Sequence, residues 1–192
     1  MLNILLLGSQ GAGKGTQALR ISEAYGIPHI ATGDILRAAM ADGTELGLKV
    51  KPIYDSGNLV PDDLMIGIIR DRLAQEDTDN GFVLDGFPRT LAQTEALDRT
   101  LREIGKELSV VFVLQLPESV AVARLTKRAE LEGRVDDTPE AIAKRLELYR
   151  RETEPLVEWF RARSNVVTVH AERSVSEVFG EIQEALEQAA VA

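Results

Sequence analysis

Short, uninterrupted apolar runs recur along this chain, separated by longer stretches in which apolar positions return every three or four residues. The first run, "NILLL" (Asn3 to Leu7), is cut off by Gly8. A continuous run of that length, without alternation, predicts a strand buried on both faces. Similar runs follow at "FVLD" (Phe82–Asp85), "VVFVLQL" (Val110–Leu116) and "NVVTVH" (Asn165–His170), each bounded by turn or helix-start residues. Between them lie helical patterns, the first from about Gly13 to Tyr25, with Gly26 and Pro28 positioned to stop it. Thr138 and Pro139 read as an N-cap followed by proline at the first helical position. Pro155 should break or kink the helix that begins there. Ser174 and Glu177 have capping-box spacing, opening a last helix expected to fray within "QAAVA". Strands alternating with helices predict an α/β chain: right-handed crossovers, a parallel sheet and helices on both of its faces.

Length narrows this to one domain, since 192 residues build a single well-cored unit and no repeat or low-complexity linker divides them. The net charge of −9 disfavours nucleic acid as a partner. It also repels free nucleotides, so a nucleotide site would have to be locally rich in Arg and Lys. With no cysteine, disulfides and cysteine-ligated zinc are excluded. "MLNILLLGSQ" lacks the basic start of a signal peptide, and no apolar run approaches the roughly 18–20 residues of a membrane helix. The expectation is a cytoplasmic protein with no membrane partner.

The first strand runs directly into "GSQGAGKGT" (Gly8–Thr16). Gly8, Gly13 and Lys14 fit the phosphate-loop pattern, whose hydroxyl is displaced here from Gly15 to Thr16. Strand, glycine-rich turn and helix together aim backbone N–H groups and the positive end of a helix dipole at a phosphate. Lys14 would reach the β- and γ-phosphates, and a nearby hydroxyl would help hold Mg²⁺. Three further segments suggest a second pocket. "ATGDILR" (Ala31–Arg37) sets Thr32 and Asp34 at a helix start with Arg37 one turn on; "GNLVPDD" (Gly57–Asp63) is a turn into another helix. "FVLDGFPRTLAQ" (Phe82–Gln93) ends a buried strand at Asp85 and turns sharply through Gly86 and Pro88 before presenting Arg89 and Gln93. Asp85 is placed to orient waters on Mg²⁺, Arg89 to bind an anion, and Gln93 to meet a purine edge. His29 and His170 fall in no phosphate motif and read as structural.

The loop, with Gly after Lys and then Thr, resembles that of the nucleoside monophosphate kinases, although Gln10 replaces the Pro usual there. "TGDILR", "GNLV", "LDGFPRT" with Gln93, and "RLTKR", "GRVDD" and "KRLELY" follow in the order and spacing of adenylate kinases, from residue 2 to about 180. The resemblance implies a five-stranded parallel sheet flanked by helices on both faces, and the reaction ATP + AMP ⇌ 2 ADP with Mg²⁺ on the triphosphate. It implies ATP binding by Gly11, Ala12, Gly13, Lys14, Gly15, Thr16, Arg124, Arg128 and the loop at Arg173. AMP binding falls to Thr32, Arg37, Asn58, Leu59, Val60, Gly86, Phe87, Pro88, Arg89, Gln93, Arg134 and Arg145. Lys14, Arg89, Arg124, Arg134 and Arg145 are its catalytic set; Thr16 and, through water, Asp85 hold Mg²⁺. By the same resemblance, residues 31–60 form a mobile AMP-binding flap, 129–137 a short lid without room for zinc, and the remainder (1–30, 61–128 and 138–192) a core. A monomer is expected.

That chemistry needs positioning and charge stabilisation more than a base, because the accepting phosphate oxygen is already ionised. Arg suits it through its planar, paired donors. Three other readings compete: a UMP/CMP kinase of the same fold, against which Thr32 and Gln93 resemble the AMP-selective form; a nucleotide switch, which leaves the acceptor-side segments unexplained; and a catalytically silent nucleotide-binding protein, against which intact Lys14, Asp85 and Arg89 argue.

Overall fold

The computed structural model describes residues 1–133 and 136–191. Five parallel strands, β1 (Leu2–Gly8), β2 (His29–Ala31), β3 (Gly81–Asp85), β4 (Val110–Gln115) and β5 (Val166–His170), lie in the order β2-β3-β1-β4-β5. The four runs read as strands are strands. β2 has only three residues, too few to make a pattern; it exists through its pairing, His29 beside Val83 and Ala31 beside Asp85.

The continuous apolar runs are explained by two cores. Along β1, Leu5 and Leu7 face one side with Phe82, Leu84, Val111 and Val113. Ile4 and Leu6 face the other with Val83, Phe112 and Leu114. The first side is covered by α4 (Asp62–Leu73), α5 (Leu91–Glu103) and α8 (Leu156–Arg161), which contribute Ile69, Leu97 and Phe160. The second is covered by α1 (Lys14–Tyr25) and α9 (Val175–Val191), through Ile21 and Ile182. Each fully buried Leu or Phe is worth roughly 1.5–3 kcal/mol relative to exposure, so a strand buried on both faces cannot slip register cheaply.

Two helices, α2 (Thr32–Ala41) and α3 (Glu45–Asp55), stand between β2 and α4, while α6 (Glu118–Glu132) and α7 (Pro139–Leu148) stand between β4 and α8. Local signals act where expected. Gly26 closes α1 in the left-handed conformation, its N–H on Ser22 O at 2.9 Å. Thr138 caps α7 by accepting from Ala141 N–H, and Ser174 and Glu177 exchange bonds at the start of α9. The last helix extends to Val191.

Pro155 does end the helical run, but the change starts earlier. Tyr149–Thr153 widen into a π turn, with Glu154 N–H bonded to Tyr149 O, five residues back, at 2.8 Å. Proline offers no N–H to the preceding turn and its ring crowds the carbonyl four residues back, so the turn upstream takes up the mismatch.

Candidate active site

β1 and β3 end side by side, with Leu6 beside Asp85, and the connections from β1 and from β4 run to opposite edges of the sheet. A parallel sheet opens a crevice at such a point, outside the carboxyl ends of its strands. Here that crevice is a cleft of about 640 Å³.

Its floor is the loop after β1. Gly13 precedes α1 with φ of 85°, a conformation that strains any residue with a Cβ. No side chain caps α1 and its first turn carries no acid, which leaves the helix N-terminus open to an anion. Lys14 folds back over the loop, its Nζ donating to Gly8 O at 2.8 Å and Ser9 O at 2.9 Å. Burial lowers its pKa to about 8; Asp85 pulls the other way, and the charges of Arg89 and Arg128 reinforce the drop.

Asp85 faces the loop from the end of β3, close enough that a Cβ on Gly15 would lie 3.6 Å from its Oδ2. Burial opposes its ionisation, but His29 and the charges of Lys14 and Arg89 outweigh burial and hold the carboxyl below the usual range. An ionised oxygen beside the phosphate loop, with the Thr16 hydroxyl in the same cleft wall, fits a hard cation such as Mg²⁺ carried on a nucleotide. His29, read from the sequence as structural, lines the cleft behind Asp85, its Nε2 3.8 Å from Asp85 Oδ2 and otherwise unpartnered. His170 lies elsewhere, exposed beside Glu181.

Beyond Asp85 the chain turns through Gly86, where a Cβ would come within 2.4 Å of Thr32 Oγ1 and φ is +84°. The Phe87–Pro88 peptide is cis. This turn places Arg89 in the cleft, held from three sides. Its Nε donates to Gly86 O at 2.7 Å, its N–H to Gln93 Oε1 at 2.8 Å, and its carbonyl accepts from Thr153 Oγ1 at 2.9 Å. Gln93 in turn donates to Asp62 Oδ1 at 2.8 Å. Burial and, more weakly, the charge of Arg145 lower the Arg89 pKa, against Asp85 and Tyr54.

The opposite wall carries paired arginines. Arg145 Nη1 lies 2.7 Å from Asp137 Oδ1 and its Nη2 3.0 Å from Asp136 Oδ2. Arg128 holds the other Asp137 oxygen, Nη2 at 2.6 Å. Asp137 is fully buried, so both guanidinium groups are fixed by a carboxylate that cannot turn to water. Arg37 donates to the hydroxyl of Tyr54 at 2.5 Å and pairs with Asp34. Arg124 Nη1 donates to Ala171 O at 2.8 Å and lies 3.5 Å from Gly11 O, tying the phosphate loop to the loop after β5.

The structure therefore brings Gly11, Gly13, Lys14, Gly15, Thr16, Arg37, Asp85, Gly86, Phe87, Pro88, Arg89, Arg124, Arg128 and Arg145 to one cleft. Among the described residues its wall does not include Ala12, Thr32, Asn58, Leu59, Val60, Gln93 or Arg173. Ala12 is buried under the loop, and Thr32 donates to Asp85 O at 3.3 Å. Asn58 is exposed and bonds Ser56, while Val60 belongs to the core. Gln93 spends its amide on Arg89 and Asp62, and Arg173 pairs with Glu181. Arg134 lies outside the described residues. Sequence reasoning passed over His29, Tyr54, Asp62, Asp136, Asp137, Tyr149 and Thr153. Asp62, Asp136 and Asp137 stood within quoted motifs as acids with no assigned partner, and Tyr149 closed the quoted "KRLELY" with no assigned role.

A phosphate loop facing a second cluster of arginines across a strand-end crevice defines a phosphoryl-transfer enzyme of the nucleoside monophosphate kinase class. The family model described as adenylate kinase matches residues 6–165. An adenylate kinase of Archaeoglobus fulgidus is 42% identical over 97% of this chain and 99% of its own length. One from a Cyanothece strain is 47% identical over 98% of this chain and 96% of its own, and one from Clostridium botulinum 43% identical over 96% and 98%. The chain belongs to the adenylate kinase family. The Archaeoglobus alignment runs over 214 positions, more than the 192 residues present here, whereas the Cyanothece alignment needs 188. Some relatives thus carry insertions that this chain lacks.

Proposed function

We infer that this chain transfers the terminal phosphoryl group of Mg·ATP to AMP, giving two ADP, and serves adenine nucleotide balance and purine salvage. An ionised oxygen of the AMP phosphate attacks the γ-phosphorus in line. The bond from that phosphorus to the β,γ-bridging oxygen breaks, and the electron pair leaves with ADP. No proton is removed in the step, so no base is required. The observation that carries the reading is the convergence of Lys14, Arg37, Arg89, Arg128 and Arg145 on one cleft of a chain with net charge −9.

Lys14 and the N-terminus of α1 hold the donor's β- and γ-phosphates; Arg37 and Arg89 hold the acceptor phosphate; Arg124, Arg128 and Arg145 surround the group in flight. Asp137, shared by two of those arginines, orients them for bidentate contact. Thr16 and, through water, Asp85 would hold the magnesium ion, which would supply positive charge to offset that of the donor phosphates. Residues 31–60 act as the acceptor flap and 129–137 as a short lid, Arg134 included, over a core of 1–30, 61–128 and 138–192. The backbone of 58–60 meets the adenine of AMP, joined by Gln93 when its amide gives up Arg89 or Asp62, and the loop at Arg173 meets that of ATP. Among the described residues no helix is long and apolar enough to cross a membrane. The protein works as a cytoplasmic monomer.

Product analysis with Mg·ATP plus AMP, CMP, UMP, GMP or no acceptor tests the reading. Two ADP per AMP consumed, with little reaction otherwise, is the expected outcome. Faster turnover with CMP or UMP would overturn the acceptor, and phosphate release without acceptor would overturn the transferase.

A further inference from the structure

Tyr54 stands on the last turn of α3, inside the cleft, between two arginines that come from different parts of the chain. Its hydroxyl accepts from Nη1 of Arg37, on α2, at 2.5 Å. Its backbone carbonyl accepts from Nη2 of Arg145, on α7, at 3.2 Å. Its ring lies under the same guanidinium, 5.2 Å from Cζ to centroid. The approach of α3 to α7 is set by backbone packing: Gly57 holds φ of +75°, and a Cβ there would meet Ala141 O at 2.7 Å.

We propose that Tyr54 is a positioning residue for the phosphoryl acceptor, holding Arg37 and Arg145 at a fixed separation around the place where the AMP phosphate binds. This rests on the reaction inferred above. Two guanidinium groups facing one small site repel each other and separate unless something between them accepts their hydrogen bonds. The carboxylates of Asp34, Asp136 and Asp137 accept from these arginines too, and each cancels charge that the phosphate needs. A phenol accepts and stacks without a negative charge, so it orients both donors and leaves their attraction for a dianion intact. It also joins the flap helix to the helix beyond the lid, so that the two arginines reach the phosphate as one unit.

Steady-state kinetics of Tyr54→Phe and Tyr54→Leu, each made also in an Arg37→Ala background, test this. Tyr54→Phe should raise KM for AMP about tenfold, the loss of one hydrogen bond to a charged donor, with KM for ATP and the melting temperature nearly unchanged. In the Arg37→Ala background the same change should have no further effect on KM for AMP. Tyr54→Leu, which also removes the ring from Arg145, should lower kcat by about tenfold. An unchanged KM for AMP in Tyr54→Phe, an equal rise for both nucleotides, or an effect that persists without Arg37 would each overturn the proposal. If Tyr54→Leu does not fold, Tyr54→Phe decides alone. Failure of the underlying reaction would be seen separately, as no ADP from AMP and ATP in the unaltered protein.

Discussion

A lysine buried against the end of β1, with the charges of Arg89 and Arg128 close by, holds its proton less tightly than one in water, and burial first of all lowers the Lys14 pKa from 10.5 to about 8. Only its charged form attracts the donor phosphates. As pH rises through 8 the ligand-free enzyme should therefore lose kcat/KM for ATP, by about tenfold per unit once the lysine is largely neutral. Bound phosphate raises the lysine pKa again, so kcat at saturating ATP should persist to higher pH. Initial rates over ATP concentration from pH 6.5 to 9.5 check this; parallel curves for both parameters would mean that another group controls the profile. The sign for stability is opposite. Between pH 8 and 10.5 the unfolded chain keeps a proton on Lys14 that the folded chain has lost, so this group's contribution to stability rises with pH in that window. Lys14 was legible from its motif. Tyr54 and His29 were not, because nothing in their neighbours along the chain says which charged group they will meet.

At the level of elements, the π turn of Tyr149–Thr153 is the feature with the most direct consequence for the site. It rotates Thr153 so that its hydroxyl meets the carbonyl of Arg89, 64 residues away in sequence. It also sets Tyr149 in the cleft wall, where burial and then the charge of Glu154 push its pKa up to about 12, keeping the phenol a neutral donor. Thr153→Val keeps shape and volume and removes that one donor. We expect kcat to fall about tenfold, the cost of leaving the Arg89 carbonyl unpaired, with the circular dichroism spectrum unchanged. Unaltered turnover would show that Arg89 is held well enough by Gly86 and Gln93. Pro155 announced a helix break, but not where the break would start. The position of a π turn depends on which carbonyls tertiary packing can satisfy, and spacing along one strand of sequence carries no record of that.

For the whole molecule, two cores share one sheet and leave its carboxyl edge free, so the cleft sits on a rigid floor while its side walls hang from loops. The wall proposed to take the acceptor, α2 and α3, is joined to the rest by short connections; Tyr54 on α3 and Gly57 just after it approach α7. Closure of such a wall excludes water, the competing phosphoryl acceptor. Amide hydrogen exchange should therefore slow across 31–60 when both nucleotides are bound, and much less with ATP alone. The interiors of β1, β3 and β4, already buried on both faces, should not change. Exchange in 31–60 that ignores AMP would show that this segment is a static wall.

The sequence by itself determined the parallel α/β architecture, the phosphate loop, the family and most of the cationic cleft, because those depend on local pattern: apolar runs, glycine placement, and arginines at fixed spacing from a strand end. Tertiary structure alone decided how the cations are held. Asp137 became the shared partner of Arg128 and Arg145, which lie nine and eight residues from it on two different helices; Tyr54 became the bridge from Arg37 to Arg145 and Thr153 the support of Arg89, through contacts between elements remote in the chain. Such pairings are chosen when helices pack, since burying a charge is tolerable only where the fold delivers its partner.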